Sequence, residues 1–426
     1  MPVSVAKPTP TIFGSRAIVS ASAVVFAASM TLSVGGFLFH AIASRRLGVD
    51  AYGTFYALIS LYTLVGFPVA VFAPVVTKYS AEFGALHDDA HVRGLIGLIV
   101  RIFVVVGAIY VVAGFVLAVP LAGYLHISAW AIPIVGVMAA AGILSTTMRA
   151  IGQGVHAYRA YAWSLAGEGI IKVVALALLA AIGLSTVGAT TAFLVGIVAG
   201  AAIIAISLIN KYRGIQPSPV LLDWRRIFAT TTGAAVLMLT IASMGFADVL
   251  VVKHAFSAQQ AGLYAVASLC GKILLYFVGF VPAILIPQAT HRHARGERTR
   301  KILLAAVLFI AVVAIAGVLA FHYGGLLVLH VLTGHAFDAA LPLLPGYAAA
   351  MAALAMTNSL GSYGLSTHRL TFVVPLLLAT IGTLITIALV HPSLSAVVAE
   401  LLIGNLVMVL AVAAPLAIQA LRDARA

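Results

Sequence analysis

Apolar runs of about twenty residues or more recur along the chain, separated by short polar stretches rich in Gly, Pro, Lys and Arg. After a polar leader of sixteen residues the first run covers 17–43, and others follow at 54–77, 96–119, 129–149, 162–182, 186–209, 228–252, 263–287, 302–322, 339–365, 370–390 and 394–420. At about 1.5 Å per residue, roughly twenty helical residues cross a hydrocarbon core about 30 Å thick, so each run can span. The first is too long to be the core of a cleaved signal peptide, about 7–15 residues, and reads as a retained span. None of the runs alternates like a barrel strand, and in lipid each backbone polar group must be satisfied within its own helix or a closed barrel. The pattern predicts an all-α polytopic membrane protein of about twelve transmembrane helices.

Composition agrees. Of 426 residues, 63% are apolar and 8% charged, with a mean hydropathy of +1.15. A soluble domain carries about a quarter charged residues, so the polar surface for water-soluble domains is missing. The single cysteine, Cys270, lies in an apolar run, which excludes an intrachain disulfide and reads as a small buried hydrophobe. The formal charge of +13 reflects basic loops at a membrane face rather than a nucleic-acid surface, so no nucleic-acid partner is expected.

Basic residues set the orientation. With the N-terminus cytoplasmic, 20 of the 24 Lys and Arg fall inside, from Lys7 and Arg16 through Arg149, Lys172, Lys211 and Arg213 to Arg292, Arg295, Arg298, Arg300, Lys301, Arg422 and Arg425. Only Arg45, Arg46 and Lys253 face outward, and Lys272 is left in mid-span. Such a bias predicts both termini in the cytoplasm and a multi-pass protein of the cytoplasmic (inner) membrane. The longest outer connection runs over about 321–339, too short for an extramembrane catalytic domain.

The polar stretch 211–227, with Pro217, Pro219 and Trp224, reads as a cytoplasmic linker between a six-helix lobe at 1–210 and another at 228–426. The halves repeat. Leu47-Gly-Val-Asp-Ala-Tyr-Gly53 matches Phe256-Ser-Ala-Gln-Gln-Ala-Gly262 at an offset of 209, Val65-Gly-Phe67 and Pro74 recur as Val278-Gly-Phe280 and Pro287 at 213, and Gly154 and Arg159 recur as Gly364 and Arg369 at 210. Six spans per copy give parallel repeats related by an axis along the membrane normal, with a cleft between them as the natural substrate site.

Catalytic and energy-coupling motifs are missing. Gly271-Lys272 lacks the earlier glycine and the Ser/Thr of a phosphate loop, and Gly364-Leu-Ser366 lacks the second glycine of a nucleophile elbow. His322, His330 and His335 lie near the outer face without a recognisable ligand spacing, and neither a metal site nor a cofactor is expected.

Charges inside spans are more informative, because each costs several kcal/mol in lipid and usually faces a cavity. Lys272 either lines a transport pathway or pairs with an acid such as Asp248. Glu168 and Lys172, one turn apart, can neutralise each other or couple a cation to transport. Asp248 and Glu400 sit closer to the outer interface, where anchoring is the simpler reading. Arg45 and Arg46 can snorkel to lipid phosphates, or can join Lys253 and Lys272 in a basic cleft that accepts a diphosphate or acidic sugars.

The stretch Arg45-Arg-Leu-Gly-Val-Asp-Ala-Tyr-Gly-Thr-Phe55, then Asp248-Val-Leu-Val-Val and Gly262-Leu-Tyr-Ala-Val-Ala267, resembles the polysaccharide and O-antigen-type flippases of the multidrug/oligosaccharidyl-lipid/polysaccharide exporter superfamily. That resemblance implies a V-shaped pair of six-helix bundles working by alternating access. It also implies an undecaprenyl-diphosphate-linked oligosaccharide as cargo, moved to the outer leaflet through a cationic cleft that suits Arg45, Arg46 and Lys272. A cation-coupled drug antiporter of the same superfamily would want a buried carboxylate in the first lobe, where Glu168 alone qualifies. A membrane-embedded glycan polymerase or ligase would need a large outer loop or clustered catalytic groups, and the chain has neither.

Overall fold

The computed structural model describes residues 15–423, apart from 184, 280, 283, 284, 286–288 and 290–299. Lys7, Pro287, Arg292, Arg295, Arg298 and Arg425 therefore lie outside the described residues. Within them the chain is all-helical: α1 Ser15–Ala70, α2 Ala73–Ala85, α3 Asp89–Val116, α4 Ala118–Leu125, α5 Ala131–Gly154, α6 Tyr158–Ala181, α7 Thr186–Lys211, α8 Trp224–Ala255, α9 Ala258–Val278, α10 Arg300–Leu332, a 3-10 helix His335–Leu343, α11 Leu344–Ser366, α12 Val373–Leu389 and α13 Leu394–Asp423.

Ten helical segments among the described residues are long and apolar enough to cross a membrane, and Val373–Leu389 is a shorter eleventh. One of the ten, Ala23–Phe67, is two spans. Gly48 breaks it at φ 73°, ψ 179°, a conformation open essentially to glycine. Residues on either side fold back on each other, since the Phe39 and Phe55 rings lie 5.7 Å apart, against roughly 24 Å along a straight helix. The expected twelve crossings follow, and the chain is a multi-pass membrane protein.

Two boundaries differ from the sequence reading. The run 54–77 breaks at 71–72, and α2 restarts with Pro74 in its first turn, where the missing N–H costs nothing. The expected outer loop at 321–339 is mostly helix, because α10 continues to Leu332 and the 3-10 helix follows within three residues.

Helices α1 to α7 pack on one another, chiefly α6 on α7, α1 on α6 and α3 on α5, while α8 to α13 form a second set around α11 and α13. Residues 212–223 join them without helix. Small residues bring backbones close, the usual device where lipid gives helices no hydrophobic reason to associate. A Cβ added at Gly35 of α1 would stand 2.6 Å from the Gly169 carbonyl oxygen of α6. Polar side chains add interhelical bonds, such as the Asn405 amide donating to the Ala350 carbonyl at 3.0 Å.

The sets meet along residues 49–56 of α1, where Val49, Tyr52, Gly53 and Tyr56 share one helical face toward α8 and α9. Gly53 meets Gly262 there, its repeat equivalent: a Cβ on Gly53 would lie 2.6 Å from the Gly262 nitrogen.

Candidate functional site

The meeting of α1 with α8, α9 and α11 buries a continuous polar chain. Asp248 of α8 is 1% exposed, and its Oδ2 accepts from the Tyr264 hydroxyl at 2.7 Å and the Tyr347 hydroxyl at 2.6 Å. Tyr347 also contacts the Ser268 hydroxyl at 2.9 Å. One turn further along α9, Lys272, itself 1% exposed, donates to Ser268 Oγ at 2.8 Å and, across the boundary between the helix sets, to the Tyr56 hydroxyl at 3.0 Å. Its ammonium lies 3.9 Å from the centre of the Phe246 ring and 4.9 Å from that of Tyr56, where ring faces attract a cation.

Lys272 and Asp248 are thus joined through Ser268 and Tyr347, with no direct ion pair between them. The carboxylate's other oxygen, Oδ1, is buried without a hydrogen-bond partner. Asp248 is no interface anchor: 3.6-residue periodicity turns it, with Tyr264, into the bundle.

A second polar cluster occupies the first helix set. Glu168 of α6 pairs with Arg149 of α5 at 2.7 Å, and Arg149 also donates to the Ser164 hydroxyl at 2.8 Å and its carbonyl at 3.0 Å. The expected pairing of Glu168 with Lys172 along one helix is corrected, since the longer guanidinium reaches across from α5. Lys172 is buried instead beside the Phe193 ring, 5.3 Å from its centre. Gly196 and Gly200, one turn apart on α7, leave room for Lys172, Arg149 and Glu168. His40 lies between the clusters, its Nδ1 3.2 Å from the Tyr52 hydroxyl, with Lys172 and Lys272 as the charges that face it.

The other candidates gather at the end of the molecule that carries Gly48, the Arg45 face. They do not form one open basic cleft. Arg45 is spent on the last turn of α10, donating to the His330 carbonyl at 3.0 Å and the Val331 carbonyl at 2.8 Å, where a cation also complements the helix dipole. Arg46 is exposed. Lys253 is buried with Asp50 of α1 as its acidic neighbour. Glu400 keeps one buried carboxylate oxygen without a partner and faces His391, whose Nδ1 is likewise unpartnered.

These contacts close the Arg45 face between the helix sets. Tyr52 meets Phe337 edge-on at 5.8 Å, and His254 of α8 stacks on Tyr124 of α4 at 3.8 Å while its Nδ1 lies 2.7 Å from the Tyr124 carbonyl. A Cβ at Gly66 of α1 or Gly245 of α8 would meet nothing within 4 Å. A cavity of about 180 Å³ under the linker, bounded by Phe72, Tyr79, Leu95 and Ile143, is apolar and lies apart from the polar chain.

Sequence reasoning singled out Lys272, Asp248 and Glu168 as charges within spans. It missed Arg149, which the charge count assigned to a cytoplasmic end, and the neutral partners His40, Tyr56, Ser268 and Tyr347. Of these only Ser268, one turn before Lys272 on α9, carried a signal in the sequence.

Two helix sets meet around a buried polar chain, and solved structures that share this fold include membrane transporters. An inward-facing multidrug resistance MATE family transporter of the MOP superfamily matches with a TM-score of 0.78 at 13% identity, over 95% of this chain and 99% of that one. The lipid II flippase MurJ in an inward closed conformation matches with a TM-score of 0.68 at 12% identity, over 94% and 87%. An outward-facing MATE family transporter gives 0.55 at 18% identity, over 96% of each chain. No protein-family model matches the sequence, and no curated protein matches it. At these identities the likeness establishes the fold, and the structural neighbours are transporters rather than enzymes.

Proposed function

We propose that the chain is a flippase that moves a lipid-diphosphate-linked oligosaccharide of the undecaprenyl type from the cytoplasmic to the outer leaflet by alternating access. In this reading residues 1–210 and 228–426 are the moving lobes, joined by 211–227, and both termini lie in the cytoplasm of an inner membrane. The polysaccharide and O-antigen-type resemblance of the motifs around Arg45 and Gly262 supports it.

The observation that carries the reading is the charge at the lobe boundary. Lys272 is a buried cation with no carboxylate in contact, held by hydroxyls and ring faces that cost little to release. An arriving diphosphate would supply the missing anion, where a cationic drug would be repelled. The half-buried acid of the first lobe, Glu168, is already neutralised by Arg149, which weakens the rival reading as a cation-coupled drug antiporter. The likeness to an inward-facing MATE transporter favours that rival.

The contacts of the Arg45 face fit a state closed outward. Arg45 and Lys253 then act as gate residues there, Lys272 stands at the base of the cytoplasmic path, and the lipid tail stays in the bilayer while the headgroup passes. Reconstitution tests the proposal. Vesicles holding the chain should translocate a fluorescent lipid-diphosphate oligosaccharide and should not extrude a cationic dye down an imposed proton or sodium gradient. The opposite pattern would replace the flippase reading with the antiporter.

A further inference from the structure

The structure assigns a site for a divalent transition-metal ion, best suited to zinc, to His330, His335 and Asp338 on the Arg45 face. His330 Nε2 lies 2.9 Å from Asp338 Oδ1, His335 Nδ1 lies 3.8 Å from Asp338 Oδ2, and the imidazole rings are 3.9 Å apart. One ligand atom from each residue falls within 4.8 Å of the others. Ligands about 2.0–2.2 Å from a tetrahedral zinc stand roughly 3.4 Å from one another, so closure asks only a small rotation of His335. That side chain is 83% exposed and free to make it.

Two imidazoles and a carboxylate are the donors that zinc accepts, and three protein ligands leave a fourth position for water. A hard ion such as magnesium prefers oxygen donors and should bind poorly. Sequence spacing conceals the trio because it straddles a chain reversal. His330 closes α10, while Gly334, at φ 80° and ψ −176°, turns the 3-10 helix so that His335 and Asp338 fold over that helix end.

The location gives such an ion a consequence. The carbonyls of His330 and Val331 hold Arg45, and Phe337, between the ligands His335 and Asp338, packs on Tyr52. A metal tying α10 to the 3-10 helix would fix both halves of this contact and hold the Arg45 face shut, so that, on the alternating-access reading proposed above, metal at that face brakes the conformational cycle.

The test uses the full-length chain in detergent with any purification tag removed. Cobalt titration should give the intense visible absorption of a tetrahedral ion at one per chain, and zinc should displace it. His335→Ala and Asp338→Asn should each weaken binding at least tenfold with unchanged thermal melting, while His322→Ala should bind as wild type does. Binding that is equal in all four proteins would overturn the site. Zinc should also slow modification of Cys270 by a membrane-impermeant maleimide in wild type and not in His335→Ala. Tight binding with no change in that rate would overturn the braking role.

Discussion

Replacing Gly53 with Ala should open the Arg45 face. The new Cβ would stand 2.6 Å from the Gly262 nitrogen and 2.8 Å from its Cα. Ordinary contact begins near 3.4 Å, so the helices must part by about 0.8 Å, and both obstructing atoms are backbone that cannot swing aside. Overpacking of this kind costs about 1–3 kcal/mol. The penalty falls on the closed arrangement alone, because separated lobes would no longer press Gly53 on Gly262. At 1.4 kcal/mol per decade, the open population should rise about 5- to 150-fold. Cys270 reports it: the chain has one cysteine, buried in the same apolar cluster as Tyr52 and Tyr56. Its labelling by an impermeant maleimide scales with the open fraction when opening is fast. Gly97→Ala on α3, where a Cβ meets nothing within 4 Å, is the matched control and should label as wild type. A folded Gly53→Ala protein that labels no faster than this control would refute the packing argument.

Three further outcomes follow from named contacts. Glu168→Gln strips the half-buried Arg149 of its carboxylate and should destabilise by about 1–3 kcal/mol in thermal melts, with much of the loss recovered in a Glu168→Gln, Arg149→Met double variant. His87, His156 and His368 end helices with positive φ of 52°, 54° and 55°, and glycine at any one of them should stabilise by about 1 kcal/mol, read as a rise in melting temperature. Asp88 caps α3 by accepting from the His91 N–H at 3.1 Å, which holds its carboxyl below the ordinary value of 3.8. A depressed folded value stabilises above the unfolded one and is lost as pH falls through it. Melting temperature should therefore drop below about pH 4, and Asp88→Asn should flatten that drop.

The helical layout was legible because a bilayer dictates run length, and Lys272 stood out because an unexplained charge in mid-span is costly. Gly53 and Gly262 stand at matching positions of the expected repeat, and in the structure they press together where α1 meets α9. What escaped the sequence involves partners distant along the chain. Arg149 sits near a helix end and counts as a loop cation until α6 packs beside it and presents Glu168. Arg45 looked like a cleft residue, yet its partners are backbone carbonyls of α10, which carry no side-chain signature. Asp338 was overlooked beside His330 and His335 because the turn at Gly334 brings it over a helix that ends before it.

In the proposed cycle Lys272, buried where the helix sets meet, receives an anionic headgroup, and one set of vesicles tests this directly. Lys272→Met keeps an unbranched apolar stem at the site and removes the ammonium that faces the Phe246 ring. It should abolish translocation of a lipid-diphosphate oligosaccharide, and Lys272→Arg should restore part of it, with Cys270 protected alike in all three proteins. Translocation at the wild-type rate by a folded Lys272→Met chain would show that the headgroup does not depend on this charge.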